Sequence, residues 1–220
     1  MLPRSRHVMR VIKGMTKKVW VIAGSVLLLF AIGVALCAYA TTLRAESFMR
    51  AVWRLDVGSI QTSAILAIAD QFRSNLTDRS AVCDAENCSV EFSFENPLLK
   101  LLRCDKRSRL DAALKIQDHR IGYVYTVFAI GGGPIPSSVV NVIEFADGVP
   151  GGFKLDVLPR GKGGLPQIFV RFDQRASDSQ KESIFDLKLS CLNRPFRCRT
   201  AYDLAPSLTK RPEARNLMPK

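Results

Sequence analysis

Catalysis at a protein site needs a nucleophile with a base beside it, a carboxylate pair or a set of metal ligands, and this chain holds few candidates. It has six cysteines, Cys37, Cys83, Cys88, Cys104, Cys191 and Cys198, and two histidines, His7 and His119. Nucleophilic chemistry pairs a hydroxyl or thiol with a base. His7 sits in a purely basic N-terminal stretch. His119 stands between Asp118 and Arg120, where a hairpin turn is expected and an exposed polar residue is ordinary. Neither G-x-S-x-G nor H-E-x-x-H occurs. Gly161-Lys162-Gly163-Gly164 has the composition of a phosphate loop without the G-x-x-x-x-G-K-[ST] spacing, and reads as a turn. A hydrolase using two carboxylates is the alternative, but no spacing singles out a pair. We therefore assign no catalytic residue, no cofactor and no metal ligand, and expect a protein that is not an enzyme.

Five of the cysteines follow the apolar segment described below. On the far side of a membrane, oxidising conditions make disulfides the default. Five is odd, so one thiol is left over, and sequence alone does not fix the pairing. The expected arrangement is two local loops, Cys83–Cys88 and Cys191–Cys198, with Cys104 free. Loops this short remove little unfolded-state entropy, so each gives less than the ~3 kcal/mol of a 15-residue loop. The C-x4-C and C-x6-C spacings are looser than those of zinc sites.

The elements that position these residues begin with an uninterrupted apolar run, Val19 to Ala40, without charge or proline. As a helix it is about 33 Å long, enough for a hydrocarbon core of about 30 Å. Arg4, Arg6, Arg10, Lys13, Lys17 and Lys18 precede it with no acidic residue, whereas Arg44, Glu46, Arg50, Arg54 and Asp56 follow. The positive-inside rule then places the N-terminus in the cytoplasm and the rest of the chain outside. Trp20 and Tyr39 stand near the two ends, where amphipathic aromatics prefer the interface. The lipid bilayer is thus the first expected partner, through residues 19–42. The rival is a signal peptide cleaved after Ala40, because Ala38-Tyr39-Ala40 is an A-x-A site; the apolar run is longer than a signal peptide needs. Leu36 is too bulky for a lipoprotein reading of Cys37, which reads as a small apolar residue of the span. The glycine, phenylalanine and glutamate pattern of a pilin leader is missing.

Formal net charge is +12, but six of the 32 basic residues lie in the leader, leaving a modest excess over the 20 acidic ones. No Arg/Lys stripe with interleaved aromatics or zinc-finger spacing occurs, so no nucleic-acid partner is expected. The chain divides into a basic cytoplasmic leader (1–18), a transmembrane helix (19–42), a stalk (43–58), one extracytoplasmic domain (59–209) and a basic tail (210–220) carrying two prolines and expected to be disordered.

Within the domain, Ile65, Ile68, Ala69 and Phe72 form a helical stripe that reads as core packing. Val90, Phe92 and Phe94 alternate with polar residues as in a half-buried strand. Further strands are expected near 110–117, 121–130, 139–145, 153–157 and 168–172, with Tyr123, Tyr125 and Val127 on one face. Gly131 to Pro136 reads as a loop. Ser177-x-x-Gln180 and Ser179-x-x-Glu182 are capping-box patterns that predict a helix from about Ser177 to Leu192, with Pro195 as its stop. Thr200 to Leu204 gives one further turn. The fold class is α+β: an N-terminal transmembrane helix, then an antiparallel five- to six-stranded sheet flanked by two helices. The Tyr123/Tyr125 face is the candidate surface for an envelope protein or polymer; the plainer reading is that these tyrosines pack under the C-terminal helix.

Three segments, Leu55-Asp56-Val57-Gly58-Ser59, the Cys83/Cys88 pair running into Val90-Glu91-Phe92-Ser93-Phe94-Glu95-Asn96, and Phe185-Asp186-Leu187-Lys188-Leu189-Ser190-Cys191-Leu192 with Cys198 beyond, carry a resemblance. The chain resembles a group of uncharacterised bacterial single-pass envelope proteins over roughly Leu55 to Leu208. The resemblance implies the two local cysteine pairs with Cys104 outside them, a place in the cytoplasmic (inner) membrane, and no activity.

Overall fold

The computed structural model describes residues 5–60, 62–77, 82–83, 87–104, 107–118, 120–131, 138–158, 167–194 and 197–210, with backbone alone for 5–18, 62, 82–83 and 209. Expectations for His119, the 161–164 turn, the glycine-proline loop beyond Gly131, Pro195 and the tail beyond Lys210 lie outside the described residues.

The chain forms two units, residues 1–39 and 40–220. The first is helical from Ser5, the start of α1 (Ser5–Val52). From Val19 onward α1 is long and apolar enough to cross a membrane, and its most apolar stretch has a mean hydropathy of 2.7 with no residue buried.

The second unit opens with the last part of α1, residues 40–52, and here the expected stalk is corrected. Ala45, Phe48, Met49 and Val52 are all buried in the core, followed by Leu55 and Val57. They fall at i, i+3, i+4 and i+7, one apolar stripe of a helix. Phe48 packs its ring 4.8 Å from Phe92, 4.8 Å from Phe94 and 5.3 Å from Phe72. Arg44, Glu46 and Arg50 point away from the stripe, which is why the segment looks mixed in sequence.

α2 (Thr62–Gln71) buries Ile65 and Ile68, with Phe72 just beyond its end, as its periodicity requires. The two-residue β1 (Val82–Cys83) leads to β2 (Cys88–Glu95), α3 (Pro97–Leu101), β3 (Ser108–Gln117), β4 (Arg120–Ile130), β5 (Ser138–Phe145), β6 (Phe153–Leu158) and β7 (Gln167–Phe172). They form one sheet among the described residues, in the order β1-β2-β3-β4-β5-β7-β6. The fold class is α+β as expected. The sheet, however, is mixed: β5 and β7 run parallel, because β6 takes the outer edge and the chain turns back to insert β7 between them.

α4 (Asp178–Phe185) starts at the expected capping box: the Ser177 side chain accepts from Gln180 N, and Gln180 Oε1 accepts from Ser177 N. It ends at Phe185 and not at Leu192. Leu187, Leu189, Cys191 and Leu192 are all buried, a set one helix face cannot present together. The chain meets the demand by opening after Phe185 and closing again as a 3-10 turn, Leu189–Leu192. α5 (Ala201–Leu204) is the expected further turn and carries a Thr200/Asp203 capping box, and Pro206 begins α6 (Pro206–Thr209).

One face of the sheet holds the core. The row Phe92, Ala112, Thr126, Val142, Val170 and Leu155 crosses it strand by strand and is buried throughout. The core residues of the helices join the same cluster.

Candidate functional site on the open face of the sheet

The opposite face is set by the same register. One row across it reads Ser93, Asp111, Val127, Asn141, Phe169 and Asp156; the next reads Glu91, Ala113, Tyr125, Ile143, Arg171 and Lys154. Most of these side chains are half-buried, and none of the described helices packs on them. Strand alternation therefore makes a surface of aromatic and aliphatic groups interspersed with paired charges.

Two of the hollows on this face hold its ion pairs. The first is lined by Ser93, Arg109, Asp111, Ala113, Tyr125 and Val127. Asp111 is held from both sides: Ser93 Oγ donates to its Oδ1 at 2.7 Å and Arg109 Nε to its Oδ2 at 2.6 Å. The second is lined by Asn141, Ile143, Asp156, Leu158, Phe169 and Arg171, with Arg171 Nη2 donating to Asp156 Oδ2 at 2.8 Å. Tyr125 stands between them. Its Oη donates to Oδ1 of the buried Asn141 at 2.8 Å. Burial, helped by the charge of Asp111, pushes the phenol above its ordinary value, so it stays protonated and serves as a donor. Tyr123 lies on the same face with Lys115 Nζ 5.7 Å from its ring centroid.

Both tyrosines therefore lie where the strand pattern puts them, on the face opposite the helices, and not beneath the C-terminal helix. Asp111 and Asp156 are separated by four strand spacings, about 19 Å, well beyond the roughly 5–9.5 Å of a glycosidase pair. Each is neutralised by its own arginine. The face offers aromatic contact area, a phenolic donor and fixed ion pairs.

The cysteines stand apart from it. Cys191 and Cys198 are bridged, with Cα atoms 5.7 Å apart and both residues buried. Cys88 is also disulfide-bonded, and Cys83 is its direct Cα partner between β1 and β2; the Cys83 side chain lies outside the described residues. Cys104 is a free thiol.

Two carboxyls that sequence reasoning passed over have strongly altered surroundings, both away from the open face. Glu144 follows Val140 and Val142 on the core side of β5, and the break in that alternation was its sequence signal. Burial raises its pKa to about 7, with Asp56 adding to the rise and Lys181 opposing it. Asp173, just past β7, is 1% exposed and accepts from Val149 N at 3.0 Å and from Arg175 N, Nε and Nη2. The Arg175 side chain and these backbone donors hold its carboxyl down at about 2. Among the described residues no group of three or more His, Cys, Asp and Glu side chains could hold a metal ion.

No family model, no curated protein and no solved structure matches this chain.

Proposed function

We propose that this chain is a single-pass membrane protein, N-terminus in the cytoplasm, whose folded domain is a non-enzymatic binding module of the cell envelope. The observation that carries the reading is the open sheet face. A sheet of this size normally buries both faces or leaves one polar, and here the free face holds Tyr123, Tyr125, Ile143 and Phe169 among ion pairs. Rigid aromatics with a polar tip give contact area at low entropic cost, which suits a protein or polymer partner. The apolar helix supports the anchor, and the basic leader supports the orientation. The resemblance to envelope proteins rests on the short motifs given above.

A photo-crosslinking residue in place of Val127, on the open face, tests the binding surface in the cells that make the protein. Discrete adducts are expected there and not from the same residue in place of Ile60, which is exposed elsewhere on the domain. Equal adducts, or none, remove the basis for a binding face. The mass of the recovered chain separates anchor from secretion: an intact N-terminus in the membrane fraction is expected, and a soluble chain beginning at Thr41 overturns the anchor. Turnover of an envelope polymer, abolished by one substitution, would replace the binding module with an enzyme.

A further inference from the structure

The 40–52 part of α1 enters the domain at one end of the sheet and leaves at the other. At the start, Asn193 Nδ2 donates to Thr42 Oγ1, and Asn96 Nδ2 donates to Asn193 Oδ1 at 2.8 Å. Asn96 directly follows the last residue of β2. Further along, Phe48 rests on Phe92 and Phe94. Past the helix, Gly58 N donates to Ile121 O at 2.7 Å and Ile121 N to Ser59 O at 3.1 Å. Ile121 pairs with Ile116 near the opposite end of β3 and β4. The Asn96 end is therefore the end beside Thr42, among the first residues of this unit. Thr42 stands two residues after Ala40, about 3 Å along a helix axis. The headgroup layer on each side of a bilayer is roughly 5–8 Å deep. In the anchor reading Thr42 therefore falls within that layer, and Asn193 ties the Asn96 turn to Thr42.

The turn at this end has a composition that water does not explain. Asn96 Oδ1 accepts from Leu98 N at 3.0 Å and Leu99 N at 3.3 Å, capping α3. Cys104 N closes it on Leu99 O at 3.0 Å, with Arg103 in the left-handed region at φ 50°. The closure leaves Leu101 and Leu102 pointing away from the core, 77% and 75% exposed, the two most exposed large apolar side chains among the described residues of the domain. Lys100 and Arg103 flank them; Lys100 Nζ lies 3.4 Å from Glu95 Oε2 and Arg107 also pairs with Glu95, and in sequence the segment 95–107 carries four basic residues against two acidic ones. Single exposed leucines are ordinary. An adjacent pair between Lys100 and Arg103, on a segment with a net excess of basic residues and, in the anchor reading, beside the point where the chain leaves the bilayer, fits the interfacial layer: leucines into the acyl boundary, cations toward anionic headgroups.

We propose that the Pro97–Arg103 turn is a second membrane contact, seated on the anionic headgroup surface of the bilayer that residues 19–42 cross. The proposal rests on the anchor reading. It makes the domain a two-point attachment, with the turn limiting its rotation about α1.

The test uses the full chain with Cys37→Ser and Cys104→Ser, carrying an environment-sensitive fluorophore at Leu102→Cys or, as control, at Ile60→Cys on the far end. The protein is reconstituted into phosphatidylcholine–phosphatidylglycerol vesicles, some with lipids bearing a nitroxide near the headgroup. The expected result is blue-shifted emission and nitroxide quenching at position 102, with water-like emission at position 60. Water-like, unquenched emission at 102 in protein that floats with the vesicles overturns the proposal and leaves the anchor intact. Protein that does not float overturns both.

Discussion

Glu144 and Asp173 respond to pH in opposite directions, and their surroundings fix the signs. Glu144 is raised from 4.5 to about 7 in the folded chain. The folded state therefore holds a proton that the unfolded chain has lost between those values. Stability from this group is fully present below about pH 4.5 and fades as pH rises through 7. Glu144→Gln removes the ionisation, so the variant should melt higher than the parent at pH 8 and converge with it toward pH 5. A melting series across that range checks this; a constant difference would mean Glu144 is ionised throughout. Asp173 is lowered to about 2, so its contribution is present above about pH 4 and is lost as pH falls through 2. Asp173→Asn keeps the shape but loses the charge that Arg175 and the Val149 amide address. The variant should melt lower at pH 7, and the gap should close between pH 4 and pH 2. Gly152 makes the same clasp tight: at φ 76° its Cα lies so close that an added Cβ would sit 2.8 Å from the Arg175 carbonyl carbon. Gly152→Ala should therefore destabilise the domain as well.

At the scale of elements, the decisive one is the part of α1 that enters the domain. Phe48 is fully buried among three phenylalanine rings, so Phe48→Ala should cost about 4 kcal/mol, in the range of aromatic-to-alanine core truncations. A chain starting at Thr41 keeps Ala45, Phe48, Met49 and Val52 and should fold; one starting at Gly58 loses them and should not. Near-UV circular dichroism of the two truncations distinguishes this from a stalk, which either would tolerate. The stripe was present in the sequence at helical spacing, but Arg44, Glu46 and Arg50 between its members gave the segment the look of a polar linker. β2 to β5 were legible because one face is buried and the other is not, so alternation survives. The parallel β5–β7 pairing was not, since strand order depends on contacts between distant segments and leaves no local mark. The end of α4 left less of a mark than its start: the Ser177 box fixed where the helix begins, Pro195 was the stop signal beyond it, and burying Leu187, Leu189, Cys191 and Leu192 together required the chain to open earlier. The open face was half visible, as the shared side of Tyr123 and Tyr125. Its partners from β5 and β7, Asn141 and Phe169, became apparent only with the register.

For the whole molecule, the proposed side of the membrane rests on charge asymmetry across the apolar helix, and the chain carries a native reporter that tests it. Cys104 is a free, half-exposed thiol in the domain, whereas Cys191 and Cys198 are bridged and Cys37 lies within the apolar run. In a Cys37→Ser background, a membrane-impermeant maleimide applied to intact cells should label Cys104 without prior reduction. Cys191→Ser and Cys198→Ser, introduced together, should leave that labelling unchanged while lowering the melting temperature. A bridge closing so short a loop is worth less than the ~3 kcal/mol of a 15-residue loop. Labelling that appears only after the cells are opened would put the domain in the cytoplasm. That result would reverse the topology expected from the six basic residues of the leader. It would also make the bridged cysteines anomalous, because thiols in that compartment are kept reduced. The sidedness of Cys104 and the oxidation of Cys191–Cys198 are thus two readouts of one orientation, and in a correctly placed chain they agree.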